Sequence, residues 1–166
     1  DKFFNAENAG DNFGISVSGC GDINGDGNSD LIVGAYSNDI NGANSGRAYI
    51  YFNTMTGTDI EDLTFTGAGT NDVLGCSVSS AGDVNGDGYD DIIIGAFGYN
   101  GGTNQGRAYI YFGGSSMNNT ADVTLTGVSV GDYFGDEASS AGDVNGDGFS
   151  DVIVGAPGYL TDQGRA

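Results

Sequence analysis

A phrase of about sixty residues recurs along this chain, and it restricts the fold more than any other feature of the sequence. Asp22, Asp83 and Asp143 stand 61 and then 60 residues apart, each inside the same longer context. The stretches "DNFGISVSGCGD", "NDVLGCSVSSAGD" and "GDYFGDEASSAGD" lead into "GDINGDGNSD", "GDVNGDGYDD" and "GDVNGDGFSD". After these come "DLIVGAY", "DIIIGAF" and "DVIVGAP", and "GRAYIYF" follows at Gly46 and Gly106, with its first letters returning as "GRA" at 164–166. "DLTFTG" and "DVTLTG" separate the units, and the N-terminal "DKFFNA" takes the equivalent place.

Each unit reads as four short strands. "GISVSG" and "GCSVSS" alternate small and apolar residues, as a strand packed closely on both faces would. "LIVGA", "IIIGA" and "VIVGA" are β-branched runs of the kind found in buried strands. "AYIYF" alternates, with Ala48, Ile50 and Phe52 on one face and Tyr49 and Tyr51 on the other. No segment holds a helical period, and 32 glycines in 166 residues would weaken any helix. An all-β chain of four-stranded antiparallel units joined by Gly/Asn-rich connectors has the pattern of β-propeller blades. The units span roughly 1–62, 63–122 and 123–166, the last of them incomplete.

The acidic stretches place oxygen-bearing side chains at positions 1, 3, 5 and 9, counting from Asp22, Asp83 or Asp143. Alternate residues of a curled loop turn their oxygens inward, and a glycine at position 6 (Gly27, Gly88, Gly148) permits the sharp turn. Position 7 varies (Asn28, Tyr89, Phe149), as suits a residue that offers only its backbone carbonyl. An all-oxygen set of six or seven donors fits Ca²⁺; Mg²⁺, which keeps its waters and demands a stricter octahedron, ranks second. Zinc fits poorly in a chain without histidine whose two cysteines lie outside the motif. "NGDG" alone would make a good hairpin turn, but turn chemistry requires none of the flanking aspartates. An EF-hand is also unsuitable: position 12 is Val33, Ile94 or Val154 inside a β-branched run, not a glutamate leading into a helix.

Taken together, these phrases resemble the FG-GAP repeat of integrin α-subunit propellers and of many secreted bacterial proteins. The name-giving letters stand as Phe13-Gly14 and Phe134-Gly135, with Leu74-Gly75 in the middle unit; Gly155-Ala156-Pro157 completes the second half, against Gly34-Ala35-Tyr36 and Gly95-Ala96-Phe97. The resemblance implies one structural calcium per acidic loop, three in all. Asp22, Asn24, Asp26, Asn28 (carbonyl) and Asp30 would hold the first. Asp83, Asn85, Asp87, Tyr89 (carbonyl) and Asp91 would hold the second. Asp143, Asn145, Asp147, Phe149 (carbonyl) and Asp151 would hold the third. Three divalent ions would reduce the formal charge from −19 to about −13. A closed propeller takes four to eight blades, so the chain is expected to be part of a larger propeller or of an assembly closed by neighbouring chains.

Charge and composition exclude several function classes. Four basic residues against 23 acidic ones repel nucleic acid and anionic membrane surfaces. No apolar run approaches a membrane span, and 18 aromatic residues support a folded core. Without histidine, and with the repeated carboxylates already taken up by calcium, no catalytic constellation stands out, so the segment is not expected to be an enzyme. Arg47, Arg107 and Arg165 share one repeat position and are expected to pair with acidic side chains or carbonyls within a blade. Cys20 and Cys76 sit at different levels of equivalent strands and are expected to remain buried free thiols. The loops 36–46, 97–106 and 157–164 lie opposite calcium with 67–73 and 127–132, where the resemblance implies recognition of a protein or glycan ligand. The leading expectation is a calcium-binding extracellular scaffold for adhesion or ligand binding. A surface filament self-associating through open blade edges comes second, and an accessory domain of a secreted enzyme third.

Overall fold

The β-branched runs form inner strands of the two four-stranded sheets. In the computed structural model, which describes residues 3–52 and 61–166, "DLIVGA" and "DIIIGA" become strands β2 (Asp30–Ala35) and β6 (Asp91–Ala96). Around β2 lie β1 (Ser16–Gly21), β3 (Arg47–Tyr51) and β4 (Leu63–Thr66), in the antiparallel order β1-β2-β3-β4. Around β6 lie β5 (Val78–Gly82), β7 (Arg107–Tyr111) and β8 (Val123–Thr126), in the order β5-β6-β7-β8. The third sheet has two strands, β9 (Ala138–Gly142) and β10 (Asp151–Val154), and Arg165 adds an isolated antiparallel bridge to Ala156. These are propeller blades set face to face, with the ring not closed.

Alternation along the strands fills the spaces between blades. Ile32, Ala48 and Ile50 of the first sheet meet Val78, Ile92 and Ile94 of the second in one buried cluster. Ile93, Ala108 and Ile110 meet Ala138 and Val154 in another. Tyr49 and Tyr51 turn to the opposite face of the first sheet, with Val33, and are covered by Phe4 and Phe13. Residues 3–6 form no strand, and residues 1 and 2 of "DKFFNA" lie outside the described residues. The repeat equivalence nevertheless survives in the packing, since Phe4 lies 4.2 Å from Tyr51 by ring centroids and Phe65 lies 4.3 Å from Tyr111. The corresponding space beside Leu125, Val152 and Val154 is a cavity of about 330 Å³.

The first strand of each unit departs from the sequence reading. It begins at Ser16 and Val78, later than "GISVSG" and "GCSVSS" suggest, because the preceding glycines belong to turns. Ile15 N–H donates to Asn12 C=O and Cys76 N–H to Val73 C=O, while Gly14 N–H reaches across to Gly34 C=O. Nor is β1 close-packed on both faces, for Val17 is exposed. Both cysteines are free, Cys20 buried and Cys76 only partly so. Burial pushes each thiol up to about 12, Cys20 with added repulsion from Asp30, so neither is an ionised nucleophile at neutral pH. Tyr159–Asp162 is assigned as helical, but Leu160 and Thr161 have left-handed backbone, making it a tight turn. Among the described residues no helix is long and apolar enough to cross a membrane.

Candidate metal centre

The acidic stretches connect the first two strands of each sheet, all at the same end. The ladder slips its register just before each loop, and Gly21 pairs with Asp30, Gly82 with Asp91 and Gly142 with Asp151. Such a bulge re-aims the chain, bringing position 9 back beside position 1. Within the loop the position-1 carboxylate acts as the hub. Asp22 Oδ1 accepts from the N–H groups of Gly25 and Asp26, at 2.8 and 3.0 Å, and Oδ2 from Gly27 N–H at 2.9 Å. Asp83 repeats this with Gly86, Asp87 and Gly88, and Asp143 with Gly146, Asp147 and Gly148. Gly27, Gly88 and Gly148 take φ of 86°, 91° and 94°, the left-handed turn that position 6 needs.

The other predicted ligands join the same hydrogen-bonded curl. Asn24 Oδ1 accepts from Asp26 N–H, Asn85 Oδ1 from Asp87 N–H and Asn145 Oδ1 from Asp147 N–H. Position-5 carboxylates accept from position-7 amides, in the pairs Asp26–Asn28, Asp87–Tyr89 and Asp147–Phe149. Position 9 is anchored to position 2: Asp30 accepts from Ile23 N–H, Asp91 from Val84 N–H and Asp151 from Val144 N–H. Asp91 also accepts from Gly113 N–H at 2.8 Å. Asp30 and Asp91 are fully buried. Burial holds the Asp91 carboxyl above the usual carboxylate range, and the nearby charges of Asp87 and Asp83 push it the same way. Asp26 is pulled the other way, first by the hydrogen bond from the Asn28 side chain. Asp143 is lowered as well, by the N–H groups around it with Gly148 foremost.

Among the described residues no three acidic, histidine or cysteine side chains converge as a finished cluster, because the carboxylates are aimed at backbone N–H groups. The donor set still suits a hard cation. Each loop offers three carboxylates, one amide oxygen and a backbone carbonyl at positions 1, 3, 5, 7 and 9, with Asp90 a fourth carboxylate in the second loop turned to Asp22 N–H. The position-1 Oδ2, accepting one hydrogen bond, retains a second lone pair. Asp22, Asn24, Asp26, Asn28 and Asp30 therefore fit a divalent oxygen-seeking ion as a group, and their counterparts in the other two loops do likewise.

The structure also displays residues that the sequence reading did not single out. Asp11, Asp72 and Asp132 are buried at one repeat position on the side away from the acidic loops. Asp72 Oδ2 accepts from Gly69 N–H and Asp132 Oδ2 from Ser129 N–H, whereas Asp11 accepts from the Asn38 side chain. Their identical spacing was the available signal. The arginines follow the sequence reading only in part. Arg47 pairs with Glu7 at 2.6 Å, but Arg107 lies 3.5 Å over the Tyr99 ring and Arg165 5.2 Å over Tyr159. Position 7 also does more than supply a carbonyl, since the Tyr89 and Phe149 rings rest on glycines of the preceding loop, Gly25 and Gly86.

Comparison with known proteins finds the same sixty-residue repeat. The family profile described as the FG-GAP repeat matches residues 13–51, 77–111 and 134–166. Integrin alpha-5 of Xenopus laevis is 36% identical over 152 residues, covering 87% of this chain and 14% of its own length. Integrin alpha-4 of Xenopus laevis is 34% identical over 161 residues, covering 92% of this chain and 15% of its own. Integrin alpha-IIb of Mus musculus is 34% identical over 155 residues, covering 88% and 15%. The chain spans about one seventh of the length of these curated relatives.

Proposed function

Because this chain belongs to the FG-GAP repeat family, we propose that it is a calcium-braced propeller segment serving as an extracellular scaffold for adhesion or ligand binding. The observation that carries the calcium reading is the threefold recurrence of one loop geometry, in which a position-1 aspartate gathers the N–H groups of positions 4, 5 and 6. Asp22, Asn24, Asp26, Asp30 and the Asn28 carbonyl bind the first ion. Asp83, Asn85, Asp87, Asp91 and the Tyr89 carbonyl bind the second, and Asp143, Asn145, Asp147, Asp151 and the Phe149 carbonyl the third. Calcium neutralises the crowded carboxylates and holds the first two strands of each blade together; it takes no part in a reaction.

Ligand recognition belongs to the opposite face. Ile40, Val128, Val130 and Leu160 are all more than half exposed there, on the loops joining second to third strands and one blade to the next. Apolar side chains displayed on tied-down loops suit a protein or glycan surface. The ties are specific, with Asn41 Nδ2 donating to Gly67 C=O and Gln105 Nε2 to Gly127 C=O. Calcium content by elemental analysis after dialysis should give three ions per chain, and Asp83→Asn with Asp87→Asn should reduce it to two. Retention of three ions by that variant, or none in the parent protein, would reject the assignment.

Self-association has one observation in its favour. Ile153 is 50% exposed, while its repeat counterparts Ile32 and Ile93 are fully buried against a neighbouring blade. A face of this kind takes another blade, from the same polypeptide or from a second copy. Light scattering in calcium decides between them: a mass that grows with concentration supports self-association, and a constant monomer mass eliminates it.

A further inference from the structure

Each acidic loop except the last is overlaid by the loop of the following blade. A Cβ built on Gly25 would stand 2.5 Å from Tyr89 Cε1, so the second loop's ring occupies the space over the first loop's position 4. One blade further, the Phe149 ring covers Gly86 in the same manner. Gly146, the equivalent residue of the third loop, has no heavy atom beside its missing Cβ within 4 Å among the described residues. The first junction is tied further by Asp22 N–H donating to Asp90 Oδ2 at 3.1 Å and Gly114 N–H to Ile23 C=O at 2.7 Å. At the second, Ser150 N–H donates to Asp83 C=O at 2.9 Å.

These contacts point in one direction. The covered glycine lies between position 3, an amide-oxygen donor, and position 5, a carboxylate donor, and its own N–H is one of those held by the position-1 carboxylate. A ring seated there restrains the segment whose curl sets the inward oxygens. Asn28, at position 7 of the first loop, instead turns its side chain onto its own Asp26 carboxylate, donating from Nδ2 at 2.9 Å. Resting on the calcium reading above, we propose that Tyr89 and Phe149 are positioning residues for the cation site of the preceding loop, Tyr89 for the first and Phe149 for the second. Each of these two cation sites is thereby completed by the next blade. Preorganisation by the ring lowers the ordering that a cation must impose when it binds.

The test separates a ring's effect on its own loop from its effect on the neighbour. Gly27, Gly88 and Gly148 each donate an N–H to the position-1 carboxylate of their loop, so their amide resonances report the three loops individually during titration of the full chain with calcium chloride. In Tyr89→Ala the Gly27 midpoint should rise about three- to tenfold, the range expected for loss of one packed ring. Gly88, whose loop keeps the residue-89 carbonyl and every side-chain ligand, should stay within about twofold of the parent. Phe149→Ala should move Gly88 and spare Gly27, and Tyr89→Phe, which keeps the ring, should move neither. An unmoved Gly27 midpoint in Tyr89→Ala, or a Gly88 midpoint that shifts equally, overturns the proposal. If none of the three glycines responds to calcium in the parent chain, the calcium reading itself fails and the positioning role with it.

Discussion

Removing calcium with a chelator is expected to lower the melting temperature of this chain by about 8–32 °C. Three sites, each held at ten to a hundred times its dissociation constant, together contribute about 4–8 kcal/mol through mass action. For a domain of this size each kcal/mol corresponds to roughly 2–4 °C. The structural reason is the crowding of carboxylates, at least three to a loop, with Asp30 and Asp91 wholly buried. Burial already holds Asp91 above its usual range, and Asp87 and Asp83 add repulsion, so an ion-free loop has poorly compensated charge next to the core. Restoring calcium should recover the melt, whereas magnesium at equal concentration should recover less, since it retains its waters. A melting curve indifferent to the chelator would mean that the hydrogen-bonded curl around Asp22, Asp83 and Asp143 suffices alone.

The second large effect concerns two glycines that the sequence presents as equivalent. Gly95 and Gly155 both open the "Gly-Ala" pair after a β-branched run. A Cβ added at Gly95 would run into the carbonyl oxygen of Gly135 on the next blade, which is backbone and cannot swing aside. At Gly155 the nearest atom is Glu137 C=O at 3.6 Å, an ordinary contact. Gly95→Ala should therefore cost about 3 kcal/mol, the upper range for forced overpacking, and lower the melt by about 6–12 °C. Gly155→Ala should change stability by less than about 1 kcal/mol. Thermal melts of the two variants in calcium check this directly, and equal losses would show that blade spacing does not depend on the Gly95 approach.

Much of this architecture was legible in the sequence because it is written in local chemistry. "DLIVGA" and "DIIIGA" are strands wherever they find partners, since a β-branched run between turn-formers has few other stable conformations. The acidic loops are equally local, for the hub carboxylate and the amides it gathers lie within six residues of one another. The alternation in "AYIYF" also assigned faces correctly, with Ala48 and Ile50 in one cluster and Tyr49 and Tyr51 in another.

Position within the stack of blades is a different kind of information. Identical letters give Ile32 and Ile93 full burial but leave Ile153 half exposed, because among the described residues a further blade packs on the first two and not on the third. Arg47 pairs with Glu7 as well as lying over the Tyr49 ring, whereas Arg107 and Arg165 lie over Tyr99 and Tyr159, although all three occur in the same tripeptide. Tyr89 and Phe149 look like spectators in their own loops and are found covering glycines some sixty residues away in sequence. The repeat, the strand segments and the curl of each acidic loop could be read from the residues alone, since hydrogen bonding and side-chain alternation act over a few residues. Which glycines cannot accept a Cβ, which rings lie over which loop and which apolar faces lie open came from tertiary packing, since those depend on the neighbour each blade receives.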